Sequence, residues 1–93
     1  MAFAQGEQFP VTSDLAASVR EFILKQFPLA RKHRINNTDP LLESGVLDSM
    51  GVLDVVAFIE QEYAISVSDD DLVPENFQSI DRIAAFIQGR AKA

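Results

Sequence analysis

An aspartate followed by a serine is the sharpest chemical feature of this 93-residue sequence. Asp48 and Ser49 lie within residues 45–51, GVLDSMG, where a turn-rich loop passes into an apolar segment with helical spacing. Both residue types cap helices, because their side-chain oxygens accept hydrogen bonds from the unpaired N–H groups of the first turn. A capping role for either residue is therefore the first of three interpretations.

The second interpretation makes Ser49 a catalytic nucleophile, and the neighbouring residues oppose it. A nucleophile elbow needs glycine two positions before the serine, where this chain has Leu47. The chain has no cysteine, which excludes thiol nucleophiles, disulfides and cysteine zinc sites, and His33 is its single imidazole. A chain of this length buries one core but seldom a water-excluding cleft as well, so we expect no enzyme activity.

The third interpretation makes Ser49 a point of covalent attachment. The first turn of a helix presents unpaired N–H groups and the positive end of the helix dipole, which favour a phosphodiester there. The charge of Asp48 opposes this slightly, although its carboxylate could help a modifying enzyme to bind a metal ion. From the local residues alone, the capping and attachment interpretations both stay open.

Three helices and one short turn are predicted around this serine. Apolar residues recur every three or four positions in three segments, which run from Thr12 or Ser13 to Pro28, from Ser49 to Glu62 or Tyr63, and from Ser79 to Gly89. Pro74 can begin a single turn that ends at Phe77. The sequence predicts an all-α fold, a small bundle of three main helices plus one short helix, with a long loop at residues 29–48 between the first two.

The composition indicates one small globular domain. Hydrophobic residues make up 47% of the chain and charged residues 24%. We expect a flexible lead-in at residues 1–12, a folded domain at 13–90 and a tail at 91–93. The sequence shows neither a signal-peptide pattern nor an apolar run long enough to span a bilayer, and the lack of cysteine fits a reducing compartment, so we expect a cytoplasmic protein.

Charge is distributed unevenly along the chain, whose formal net charge is -6. Residues 1–38 contain five basic and three acidic side chains, whereas residues 39–81 contain eleven carboxylates and no lysine or arginine. Such a stretch lacks the cations that supply most of the affinity for nucleic acids, so we expect no nucleic-acid partner. A basic protein surface is its natural complement, with simple solubility as the alternative.

The predicted second helix carries two apolar lines. The stronger line should face the core and consists of Val52, Val55, Ile59 and Tyr63. A weaker line at a separate angle consists of Met50, Leu53 and Ala57, with Asp54 and Glu60 beside it. The weaker line is either an apolar docking surface edged by negative charge or a further part of the core, and the pattern leaves both open.

These features occur in an order that resembles the acyl carrier protein family. The resemblance rests on residues 41–51, LLESGVLDSMG, on the helix that follows, on residues 70–77, DDLVPENF, and on residues 79–80. It covers residues 13–90 and implies that they form a carrier domain. In that family, the serine that opens the second helix is esterified with 4′-phosphopantetheine, which a phosphopantetheinyl transferase takes from coenzyme A. The resemblance implies that Ser49 carries this cofactor and that Asp48 takes part in recognition by the transferase.

The resemblance also implies a carrier and not an enzyme. Such a protein holds an acyl group as a thioester and presents it to enzymes of lipid metabolism, including fatty acid biosynthesis, or of secondary-metabolite synthesis. We expect a monomer that meets the transferase and an adenylate-forming ligase, or other acyl-transferring enzymes with basic docking surfaces. The family docks its partners through the second helix, which implies partner-binding roles for Met50, Leu53, Asp54, Ala57 and Glu60. An aminoacyl carrier of D-alanyl or peptidyl type and an unmodified acidic adaptor remain the alternatives.

Two polar clusters are expected to lie on the surface. Residues 69–71 are consecutive aspartates without the glycine and glutamate of a calcium loop, so they predict a solvated acidic turn. His33 lies within the basic stretch at residues 31–34, which suggests a specialised, free-standing carrier. A set of apolar residues could line a cavity for an acyl chain or simply fill the core: Phe58, Ile59, Phe77, Ile80 and Phe86.

Overall fold

Helices and turns account for the part of the protein that this computed structural model describes, residues 11–91. The α-helices are α1 (Val11–Gln26), α2 (Pro28–Lys32), α3 (Ser49–Tyr63) and α4 (Ile80–Ala91). Two 3-10 helices, Asp69–Asp71 and Pro74–Phe77, lie between α3 and α4. No strand occurs within residues 11–91, so the all-α prediction is confirmed, and the short turn at 74–77 is present. Over the same range, no helix is long and apolar enough to cross a membrane.

The first helix begins at Val11, just before the predicted start at Thr12 or Ser13. It therefore takes in the last two residues of the predicted lead-in at 1–12. The first ten residues of that lead-in lie outside the described residues, as do residues 92–93 of the predicted tail. The predicted flexibility of the lead-in and the domain boundaries stay predictions.

The loop before α3 is shorter than the one predicted at residues 29–48. α1 ends at Gln26, but Pro28 then starts the five-residue helix α2, so the connection to α3 covers residues 33–48. Proline suits the first position of a helix, because its fixed φ is already helical and its missing N–H would have no partner there. Ala30, which is completely buried, holds this short helix against the core.

The predicted stop at Gly89 is wrong, because α4 continues to Ala91. The Arg90 guanidinium donates hydrogen bonds to the carboxylate of Asp71 and to the carbonyl of Ser66. These contacts hold the last turn of α4 in place where glycine alone would favour an end.

The core lies where α1, α3 and α4 meet. Its fully buried side chains include Val19, Ile23, Val55, Ile59, Phe77, Ile80, Ile83 and Ile87. Val55 and Ile59 confirm the inward-facing line of the predicted second helix, which is α3, while Val52 and Tyr63 are half-buried at its edges. Burial of these aliphatic side chains is the main force that joins the helices.

Aromatic contacts join α1 to α3 beside this core. The ring of Phe22 stacks on that of Phe58 with centroids 4.2 Å apart, and Tyr63 packs edge-on against Phe58. The Tyr63 hydroxyl donates to Ser18 Oγ at 2.8 Å. These side chains fill the bundle, which supports the packing alternative for Phe58 over a role in lining a cavity.

The connection at residues 33–48 is anchored by apolar side chains. Its buried residues are Ile35, Leu41, Val46 and Leu47. The N–H of Leu41 donates to the carbonyl of Gln78 at 2.7 Å, and the N–H of Leu47 donates to the carbonyl of Leu41 at 3.0 Å. Gly45 turns the chain at φ +84°, a conformation that glycine adopts without steric cost. The loop therefore fixes the place where α3 begins.

Candidate functional site

Asp48 caps α3 and Ser49 is the first residue of that helix. The Asp48 side chain accepts a hydrogen bond from the N–H of Gly51 at 2.8 Å, and its backbone is extended, as the cap position requires. The capping role thus belongs to Asp48, and the Ser49 residue is exposed. An exposed hydroxyl at the amino end of a 15-residue helix is accessible to an enzyme that modifies it.

The start of α3 packs closely against Phe27, which joins α1 to α2. A Cβ placed on Gly51 would lie 2.9 Å from Leu47 Cδ1 and 3.0 Å from Phe27 Cε1, which is closer than side chains tolerate. Gly51 is buried for this reason, although most of the first turn around it is exposed. The close packing holds the backbone that presents Ser49 in one orientation.

An apolar groove opens directly beside Ser49. Its volume is about 430 Å³, and besides Ser49 its lining residues are Leu42, Val52, Leu53, Leu72, Val73, Pro74 and Phe77. One wall belongs to α3 and the other to the segment around the second 3-10 helix. Sequence reasoning missed Leu72 and Val73 as site residues, although the family resemblance included both and could have pointed to them.

A second, smaller groove lies on the other side of the α3 start. It has a volume of about 300 Å³, and its lining residues are Phe27, Pro28, Leu29, Gly45, Val46, Asp48, Met50, Gly51 and Asp54. Leu29 and Met50 are both exposed there. The beginning of α3 therefore forms a ridge between two apolar depressions, with Ser49 on the side of the larger one.

The weaker apolar line of α3 faces outward. Met50 is 71% exposed and Leu53 is 54% exposed, and Asp54, Ala57 and Glu60 are exposed as well. The alternative in which this line belongs to the core is therefore wrong.

One of these outward residues already has a partner within the chain. Glu60 Oε2 accepts a hydrogen bond from the N–H of Val67 at 2.9 Å. Glu60 thus holds the segment that leaves α3, in addition to any contact with another protein.

The three aspartates at residues 69–71 do not behave alike. Asp69 and Asp70 are exposed, but Asp71 is buried, so the prediction of a solvated turn is wrong for it. Its carboxylate accepts from the backbone N–H and the hydroxyl of Ser68 and pairs with Arg90. The Ser68 N–H is the main reason why the pKa of Asp71 lies below its ordinary value. The Ser68 hydroxyl and Arg90 act in the same direction, and burial acts against them.

His33 lines neither of the two grooves beside the start of α3. It forms the carboxyl-terminal cap of α2 and is exposed, as predicted. No hydrogen bond joins His33 to Ser49 among residues 11–91. In the same range, no group of three histidine, cysteine or acidic residues has an arrangement that could hold a metal ion.

Most of the apolar residues that were expected either to line an acyl-chain cavity or to fill the core are part of the packed core. Ile59 and Ile80 are completely buried, and Phe86 packs against Phe77 with ring centroids 6.2 Å apart. Phe77 is the member of the set that also reaches the groove beside Ser49. The larger depression is therefore a surface groove over a packed core.

Comparison with known proteins gives a family for this arrangement. Residues 17–87 match the profile of the family described as phosphopantetheine attachment site. The chain is also 30% identical over 79 residues to a protein of Serratia sp. (strain ATCC 39006) named probable acyl carrier protein PigG, a match that covers 85% of this chain and 90% of that protein. These findings imply a covalently attached 4′-phosphopantetheine, and the chain belongs to the acyl carrier protein family.

Proposed function

We propose that Ser49 is the residue that carries 4′-phosphopantetheine and that the protein moves an acyl group between separate enzymes without catalysing a reaction itself. The observation that carries this proposal is the exposed serine at the first position of α3, with its neighbour Asp48 committed to the helix cap. The hydroxyl is therefore open to another enzyme while the backbone beneath it is held.

The surroundings of Ser49 fit the cofactor chemically. The unpaired N–H groups and the positive dipole end of α3 favour a phosphodiester at this position. The groove beside it is apolar and about 430 Å³ in volume, which suits the uncharged part of a flexible arm or a short acyl chain. Asp48 keeps the first turn intact through its bond to Gly51.

The attachment step needs a base from the transferase. Ser49 Oγ forms a bond to the pantetheine-side phosphorus of coenzyme A and loses its proton, while the bond to the bridging pyrophosphate oxygen breaks and adenosine 3′,5′-bisphosphate leaves. Asp48 Oδ1 accepts from the N–H of Gly51, and the other oxygen of this exposed carboxylate is our candidate for recognition by the transferase. Once bound, the cofactor supplies the thiol that a chain without cysteine lacks, and this thiol holds an acyl group as a thioester.

The outward face of α3 is our candidate docking surface for partner enzymes. It comprises Met50, Leu53, Asp54, Ala57 and Glu60, all of them exposed. Exposed charge pairs speed the encounter of two proteins more than they prolong the complex, which suits a carrier that must leave each enzyme after one step. Its partners are then the transferase and an acyl-loading or acyl-transferring enzyme with a basic surface, in lipid or secondary-metabolite synthesis.

Intact mass spectrometry tests the attachment residue. The protein is incubated with coenzyme A, Mg²⁺ and a broad-specificity phosphopantetheinyl transferase, beside Ser49→Ala and the control Ser44→Ala, which removes another exposed serine upstream of α3. We expect one phosphopantetheine on the native chain and on Ser44→Ala, and none on Ser49→Ala. A folded native chain that gains nothing would instead indicate an unmodified adaptor.

The same reaction tests the docking surface through its kinetics. Asp54→Lys should raise the KM of the transferase for the carrier about two- to fivefold, the size expected for one exposed charge pair, with little change in kcat. Glu62→Lys makes the same charge change on α3 outside the proposed surface and should leave KM unchanged. Equal effects of the two variants would show that only net charge matters.

A further inference from the structure

We propose that Asp71 and Arg90 are positioning residues for the groove wall formed by Leu72 and Val73. The proposal rests on the proposed function, in which Ser49 bears the arm that this groove receives. The two residues are separated from Ser49 by more than 20 positions along the chain, and neither lines the groove itself.

Asp71 is the center of the contacts that hold this wall. Its Oδ2 accepts from the backbone N–H of Ser68 at 3.0 Å and from the Ser68 hydroxyl at 3.0 Å. Its Oδ1 accepts from Arg90 Nη2, and its side chain is 12% exposed. Both carboxylate oxygens are thus in use, one within the segment and one toward α4.

Arg90 joins the same segment to the last turn of α4 at two points. Besides the Asp71 carboxylate, its guanidinium reaches the carbonyl of Ser66, to which Nη1 donates at 3.1 Å. The guanidinium carbon also lies 5.2 Å from the centroid of the Phe86 ring, within the range of a cation–π contact. A planar group with several donors can make these contacts together, and a lysine ammonium cannot match their geometry.

The groove wall follows directly from these contacts. The N–H of Val73 donates to the carbonyl of Asp71 at 2.9 Å, and the N–H of Leu72 donates to the carbonyl of Asp69 at 3.1 Å. Asn76 Nδ2 donates to the same Asp71 carbonyl at 2.8 Å. A shift of Asp71 must therefore move the backbone of the wall.

Apolar burial of this wall is incomplete, although Ile65 and Val67 ahead of it pack partly buried against the core. Leu72 and Val73 are 38% and 36% exposed, and Asp71 is the buried residue among residues 64–73. The facing wall, Val52 and Leu53, belongs to the long helix α3 and is fixed by it. The polar contacts of Asp71 and Arg90 thus set the width of the groove beside Ser49.

Amide hydrogen exchange on the unloaded protein tests this directly. Arg90→Ala leaves the buried side chains of α4 in place, so we expect the amides of Leu72 and Val73 to exchange more than about tenfold faster while those of α1 and α3 keep their rates. Arg90→Lys should give an intermediate rate. Arg82→Ala, which removes an exposed arginine from the same helix, should match the native protein.

A second measurement links the wall to the arm. The transferase and hexanoyl-coenzyme A load a hexanoyl arm, and the methyl resonances of Leu72 and Val73 are compared with those of the protein that carries the unacylated arm. We expect the acyl group to shift these resonances in the native protein and in Arg82→Ala, to shift them less in Arg90→Lys, and to have no effect on them in Arg90→Ala.

Each outcome bears on a different claim. Unchanged exchange of Leu72 and Val73 in a folded Arg90→Ala variant would overturn the positioning role, whether or not Ser49 accepts an arm. Native shifts that persist in Arg90→Ala would overturn the link between the wall and the arm. Failure of Ser49 to be loaded in the mass measurement would refute the proposed function and leave the exchange result to decide the role of Arg90.

Discussion

The two segments that flank α3 differ in how far apolar burial holds them. Residues 33–48, ahead of α3, bury four apolar side chains and tie their backbone to Gln78. Residues 64–73, after α3, fully bury a single residue, the charged Asp71. Its contacts with Ser68 and Arg90 hold this segment together with the partly buried side chains of Ile65 and Val67. The first segment positions Ser49, and the second forms the opposing groove wall.

Because of this difference, we expect residues 33–48 to be rigid and residues 64–73 to adjust more easily. Apolar burial is insensitive to pH and to moderate salt, whereas an ion pair with one partner exposed, as Arg90 is here, depends on both. Ser49, the proposed attachment residue, follows the segment that is anchored by apolar burial. The wall that we propose to receive the arm depends more on polar contacts, so we expect it to adjust more easily.

The largest expected effect comes from a substitution that leaves a cavity under residues 33–48. Leu47→Ala removes a side chain that is 1% exposed and should lower the free energy of unfolding by about 3 kcal/mol. Leu29→Ala, at a leucine that is 41% exposed, should change it by less than about 1 kcal/mol. Urea denaturation measures both, and similar losses would show that residues 33–48 are not anchored by burial.

A pH series isolates the contribution of the Asp71 carboxylate to the stability of the protein. Because the pKa of Asp71 is lowered in the folded state, its contribution is complete at neutral pH and is lost as the pH falls through that lowered value. Asp71→Asn, with one acceptor oxygen in place of two, should be less stable than the native protein at pH 7.

The difference in stability between the native protein and Asp71→Asn should narrow as the pH falls below the ordinary pKa range of an aspartate. Other carboxylates titrate in both proteins and cancel in the comparison. Thermal melting at a series of pH values gives this difference directly. A difference that stays constant down to low pH would mean that the Asp71 charge does not hold the wall.

The smallest expected effect is at the junction of α3 with the second segment. Ala64 follows the helix with φ 55° and ψ 42°, a left-handed conformation in which an L side chain costs about 1 kcal/mol. Ala64→Gly removes that strain but gives the unfolded chain more freedom, so we expect a net gain of about 0.5 kcal/mol in the free energy of unfolding. A loss of stability would show that the Ala64 methyl group makes a contact worth more than the strain.

The spacing of residues along the sequence was enough to predict helix faces and helix starts, which depend on residues close together in the chain. The spacing of Val55 and Ile59 predicted the buried face of α3. Ser79, where the last predicted segment begins, caps α4, and its Oγ accepts from the N–H of Arg82 at 3.1 Å. The start of α3 at Ser49 also followed from the family resemblance. These features involve residues within one or two helical turns of each other.

The errors concern residues whose state is decided by distant partners. Asp71 is buried because Arg90, 19 positions away, pairs with it, and that same contact carries α4 past Gly89. Ala30 holds α2 in place because it is buried against the core, and the sequence of this short helix does not reveal that contact. The groove was missed for the same reason, since its walls come from separate parts of the chain.

Thiol titration tests the central claim most directly, because the chain contains no cysteine. After incubation with coenzyme A, Mg²⁺ and the transferase, and removal of small molecules, a chromogenic disulfide counts the thiols on each chain. We expect one thiol on the native protein and none on Ser49→Ala. A thiol on Ser49→Ala, or none on a folded native protein, would contradict the assignment of Ser49 as the residue that carries the arm.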